Sequence, residues 1–132
     1  MCKMNMEAIR NEIAEIITKD TMHCWGIRAL CSDEDYAVGD EPRESYDWDH
    51  ENDVSTYYTD GRTVGGVCTV GIDAQYDDEI DQNVQAALDK VAIYSGNRIA
   101  LIRADGCDFG EDGGEWILKG CPEVAGVWEV SQ

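Results

Sequence analysis

The sequence predicts an α+β domain: a largely antiparallel sheet of about five strands with two helices on one face. Three observations lead there. Two segments carry apolar residues at helical spacing. Several shorter segments alternate, or run apolar, in the manner of strands. Their order is helix, strand, acidic excursion, strand, helix and three strands, not the regular alternation that builds a parallel sheet. The 132 residues, 43% of them hydrophobic, suit a single domain over 1–132 with one core.

The first helix is predicted over 5–19, where Met6, Ile9, Ile13, Ile16 and Ile17 recur on one face. Asn5 is the N-cap, and the helix ends near Lys19-Asp20. The segment CWGIRALC, 24–31, reads as a strand. Trp25, Ile27, Ala29 and Cys31 share one side, and Arg28 is an outward residue on the other. Residues 33–60 form the acidic excursion. They hold eleven acids against one base, Arg43, with turn signals at Gly39-Asp40 and Asp60-Gly61. The backbone there should be irregular and exposed, with short edge strands at Tyr36–Val38 and Ser55–Tyr58.

Val64–Ile72 reads as a strand loosened by three glycines. The second helix is predicted over 78–94. Its apolar stripe is Ile80, Val84, Ala87, Leu88 and Val91, its first turn is acidic, and Gly96 stops it. Strands then follow at Arg98–Ala104, Glu115–Lys119 and Glu123–Val130. A loop over 105–114 separates the first two, and a turn at Cys121-Pro122 the last two.

The net charge is −18, from 28 acids and 10 bases. Such a chain opposes nonspecific contact with nucleic acid or anionic membrane, and favours a basic protein surface or cations. The first ten residues contain no apolar run of signal-peptide length. The strongest late run, Ile99–Ile102, is far short of a membrane span. The expectation is a cytoplasmic protein whose six cysteines are reduced, several of them acting as small hydrophobes in strands.

The stretch SYDWDHEND, 45–53, places acids at Asp47, Asp49, Glu51 and Asp53. A helix-loop-helix calcium site needs glycine sixth and glutamate twelfth; counted from Asp47, these positions are Asn52 and Tyr58. Counted from Asp105, the third and fifth positions are Cys107 and Phe109, which also fails. No cysteine pair is spaced CxxC, so a structural zinc site is disfavoured. GEDGGE, 110–115, lacks the lysine of a phosphate loop and reads as a turn. No metal and no cofactor is assigned. Acid–base catalysis needs burial to separate carboxylate pKa values, and this stretch has little apolar cover. His50 and His23 read as exposed, and Trp25, Trp48, Trp116 and Trp128 as core or interface residues.

A surface remains. On an extended segment, alternate acids point the same way at about 6.6 Å, twice the ~3.3 Å rise per residue. That is the order of the spacing between phosphates along a nucleic-acid strand. Tyr46 and Trp48 then face the other way as anchors. The plain alternative is a solvated face without a partner. Residues 33–60 carry a net −10, eleven acids against one arginine, where a merely solvated surface is usually more mixed in sign.

Two resemblances bear on function. Arg28 in WGIRA, Ser55-Thr56 in VSTYY and Glu115 in GEWIL occur in an order similar to that of ADP-ribosyltransferases. The likeness implies Arg28 on a pyrophosphate, Ser55 beside nicotinamide and Glu115 at the transfer centre, with NAD as substrate. The family's second serine falls at Tyr57, and the residue two before the glutamate is Gly113. The run from Trp25 to Tyr58, with GGVCTVGI and GEDGGEWIL, resembles small proteins of prophages and mobile elements in gut Firmicutes. In size and charge it is similar to phage-encoded inhibitors of host defence, including anti-CRISPR proteins, many of which occupy a nucleic-acid groove.

The leading expectation is therefore a non-enzymatic, cytoplasmic inhibitor acting in a bacterial host. Its partner would be the basic surface of a nucleic-acid-binding protein. Asp47, Asp49, Glu51 and Asp53 would supply charge, and Tyr46, Trp48, Tyr57 and Tyr58 contact. The alternatives are the NAD-using enzyme and a structural or regulatory module that dimerises through strand edges.

Overall fold

A computed structural model describes residues 3–30, 35–42, 70–91, 98–109, 116–119 and 122–131; at 90–91, 107–109 and 116–119 it describes the backbone. In chain order the elements are β1 (Lys3–Met4), α1 (Met6–Thr18), β2 (Cys24–Ala29), β3 (Val70–Ile72), a 3₁₀ turn (Asp77–Glu79), α2 (Ile80–Val91), β4 (Arg98–Ala104), β5 (Gly106–Phe109), β6 (Trp116–Lys119) and β7 (Glu123–Val130).

Five strands form one sheet in the order β1-β7-β4-β2-β3. All neighbours are antiparallel except β1 and β7, so the sheet is mixed. The predicted α+β class stands, with β1 as an added edge strand that two residues were too few to announce. Helix α1 begins where Asn5 Oδ1 accepts the Ala8 N–H at 2.8 Å, the cap its sequence position implied. Ile9, Ile13 and Ile17 of α1 pack with Ile80, Val84 and Leu88 of α2. Both helices cover Trp25, Ile27, Ile72, Ile99, Leu101 and Trp128 of the sheet.

The opposite face is apolar too. Leu30, Ala100, Ile102, Ala104 and Val124 form a second cluster, flanked by Cys24, Tyr36 and Val127. Strand β6 comes against the neighbouring strands β4, β2 and β3, and so lies across the side the helices leave open. It pairs with β5, and the two make a separate antiparallel ladder. The predicted loop over 105–114 is thus corrected: Gly106–Phe109 within it is a strand. Arg28 is corrected as well. It is not an outward residue but 1% exposed, on the second face beside its register partner Ala100. A β2 covered on both faces explains why alternation alone misplaced it.

Residues 35–41, including Tyr36–Val38, form irregular backbone and a turn rather than an edge strand. They are nonetheless tied to β7. Gly39 N–H donates to Val124 O and Val124 N–H to Asp40 O, each at 2.8 Å. Gly39 turns there with φ +98°, a conformation that favours glycine. The predicted strand over 64–72 is described only from Val70. Cys31, Ser55–Tyr58, Gly96 and Cys121 lie outside the described residues. Among the described residues no helix is long and apolar enough to cross a membrane.

One irregularity sorts the side chains of β7. Leu101 pairs with Gly126 but Ile102 pairs with Val124, which leaves Ala125 as a bulge. Val124 therefore joins the second cluster while Trp128, four residues on, joins the helix side. The Trp128 indole lies over Gly126. A Cβ at that glycine would meet Cζ2 and Cζ3 at 2.9 Å and Cη2 closer still.

Two stability changes follow. Gly126→Ala should destabilise the fold by about 1–3 kcal/mol, because a nearly buried indole has little room to retreat. An unchanged urea midpoint would mean that the indole moves freely. Asn5→Ala should lose about 1 kcal/mol with the cap, and Asn5→Asp should retain most of it.

Candidate functional site

The described residues offer two places where charge is organised. The first lies where α1 ends. Asp20 N–H bonds Ile17 O at 2.9 Å and closes the helix, which leaves the Asp20 side chain over the ends of β2 and β4. The Asp20 backbone carbonyl accepts the Trp25 indole N–H at 2.8 Å. Its Oδ1 is 2.8 Å from His23 Nδ1, and its Oδ2 accepts from Arg103 Nη1 at 3.2 Å. Arg103 Nη2 also donates to Glu123, its register partner on β7. His23 Nε2 lies 3.8 Å from Asp105 Oδ1. One helix end and three strands thus meet through five polar side chains.

These groups are partly open to solvent. The bond from His23 is the main reason that the Asp20 carboxyl is held below its usual range. Partial burial opposes the shift, and the charge of His23 and the contact with Arg103 add to it. The Arg103 guanidinium is raised above its ordinary value, first by its bond to Glu123, against burial. The Asp20–His23 pair has the form that orients an imidazole as a base. Here, however, Nε2 faces a carboxylate, which offers no hydroxyl or thiol proton for a base to remove. Among the described residues no group of three or more His, Cys, Asp or Glu side chains is arranged to hold a metal ion.

The second place is acidic surface. Asp73, Asp77, Asp78 and Asp81 are exposed around the start of α2, and Tyr76 among them is 58% exposed. Asp73 Oδ1 accepts the Gln75 N–H at 2.9 Å, and its backbone carbonyl accepts from Asn83 at 2.8 Å. These bonds fix the approach to the helix, and its dipole favours the acids there. Asp35, Asp40 and Glu41 are exposed on the segment tied to β7.

The eight residues proposed for partner contact, Tyr46, Asp47, Trp48, Asp49, Glu51, Asp53, Tyr57 and Tyr58, lie outside the described residues, as do His50, Ser55, Thr56 and Glu115. Of the residues matched to ADP-ribosyltransferases only Arg28 is described, and it is buried. Trp25 and Trp128 are core residues, as read. His23 differs from its reading as merely exposed: it is part-buried and bonded to Asp20. The Asp20 network had no sequence signature, because Arg103 meets Glu123 and Asp20 only through strand register and the helix end.

Family models, curated proteins and solved structures give no match to this chain.

The lowered Asp20 carboxyl makes a pH prediction. A group that titrates lower when folded stabilises the fold above its unfolded value, about pH 4, and loses that contribution as pH falls through its folded value. Asp20→Asn should therefore be less stable than the parent at neutral pH, and the two should converge towards about pH 2. An equal gap in urea midpoint at both pH values would refute a role for the ionised carboxylate.

Proposed function

We propose that this chain is an acidic, non-enzymatic inhibitor that occupies the basic nucleic-acid-binding surface of a bacterial defence nuclease or regulator, in the host cytoplasm. The observation that carries the reading is the charge: −18 overall, with a net −10 within 33–60. The described surface supports it in kind. Asp35, Asp40 and Glu41 are exposed, and exposed Asp73, Asp77, Asp78 and Asp81 flank an exposed Tyr76 along the chain, with no base between 73 and 81. Carboxylates flanking an aromatic residue suit a surface that otherwise receives phosphates and bases. Asp47, Asp49, Glu51 and Asp53 are the proposed charge contacts, with Tyr46, Trp48, Tyr57 and Tyr58 as their aromatic companions.

The NAD-using alternative with Arg28, Ser55 and Glu115 is less well supported. A residue that grips a pyrophosphate must be reachable by it, and Arg28 is buried against the sheet. The non-enzymatic reading is preferred for that reason.

Charge-led association is fast and weakens as salt screens it. Capture from a bacterial lysate at about 50 mM and about 300 mM salt should retain a nucleic-acid-binding protein mainly at the lower concentration. Neutralising Asp47, Asp49, Glu51 and Asp53 together to Asn or Gln should reduce capture at least tenfold, about 1.4 kcal/mol. Salt-independent capture, or full capture by the neutralised variant, would sink the reading.

A further inference from the structure

Both ring nitrogens of His23 face carboxylates. Nδ1 lies 2.8 Å from Asp20 Oδ1 and Nε2 3.8 Å from Asp105 Oδ1. A neutral imidazole has one N–H, so it serves one of these oxygens and turns a lone pair towards the other. An imidazolium hydrogen-bonds Asp20 and stands in ion-pair range of Asp105 at the same time. The two carboxylates belong to different parts of the fold. Asp20 sits in the turn after α1, and Asp105 is the single residue between β4 and β5. Beneath them the register pair Cys24–Ala104 closes the β2–β4 ladder.

The neighbouring cations are already engaged. Arg103 from β4 is engaged by Asp20 and by Glu123 of β7. Lys19, at the end of α1, pairs with Glu15 at 3.2 Å. Among the described side chains, Asp20, Asp105 and Glu123 are three carboxylates beside the one guanidinium of Arg103.

We propose that His23 is a proton-operated latch between the α1–β2 turn and the β4–β5 corner. When charged, it ties Asp105 to Asp20; when neutral, it keeps Asp20 and releases Asp105. The corner leads into the β5–β6 ladder that lies across the sheet, so the latch governs how firmly that ladder is seated. The contribution is present while the imidazole is charged and is lost as pH rises and the proton leaves.

A double-mutant cycle tests this. His23→Gln, Asp105→Asn and the double variant would be unfolded in urea at about pH 5.5 and about pH 8, either side of the usual histidine range. The pair should couple by about threefold in the folding constant at the lower pH, as expected of a partly exposed ion pair, and not at the higher. Equal coupling at both pH values, or none at the lower, would overturn the latch. The Gly106 amide resonance gives a local readout. It should move with pH in the parent and stay still in His23→Gln, which retains His50 as the control. A Gly106 titration that survives His23→Gln would also overturn the proposal.

Discussion

The six register pairs that join β2 to β4 place apolar side chains on both sides of the sheet, with Ile27 and Leu101 towards the helices and Ala100 and Ile102 away from them. A sheet with two apolar faces needs two covers. The amphipathic pair α1 and α2 supplies one, and β5–β6 with residues 35–42 contributes to the other. Much of the remaining architecture answers that requirement. The chain turns sharply at Asp105 so that β5 can leave the sheet at once. Residues 39 and 40 bond to the backbone of Val124, a fully buried member of the second cluster.

How much of this was legible follows from the periodicities. Both helices were plain, because isoleucines at helical spacing in α1 and the Ile80–Val84–Leu88 stripe in α2 admit one buried face each. Strands β4 and β7 were read to their observed ends. Arg28 was misread because a charged residue inside an apolar strand implies a solvent side, and β2 has none. Strand β5 was hidden by GCDF, whose three residues between Gly106 and Gly110 are too few for a periodicity to mark them. The Asp20 network was illegible for another reason. Its members come from three separate stretches of the chain, 20–25, 103–105 and 123, and only tertiary register brings Arg103 beside Trp25 and Glu123.

The excess of acid is distributed with some economy of strain. Around α2 the carboxylates cluster at the helix start, where exposed N–H groups and the dipole favour negative charge. At the end of α1, by contrast, Asp20 is held by His23 and Arg103, so an acid at the unfavourable end of a helix is matched by donors. Among the described residues, these acids stand where local electrostatics tolerates them. Those same positions leave the carboxylates at the start of α2 facing water, available to a cationic surface.

The bulge at Ala125 makes β7 a phase shifter. On either side of it the strand keeps a regular two-residue alternation, but the alternation is inverted between the halves. Removing one residue there would leave composition and hydropathy almost unchanged. It would also turn Val124 towards the helices or Trp128 away from them. The strand's message is written in its residue count as much as in its residue types, so relatives of this chain should vary in β7 by substitution far more readily than by insertion or deletion.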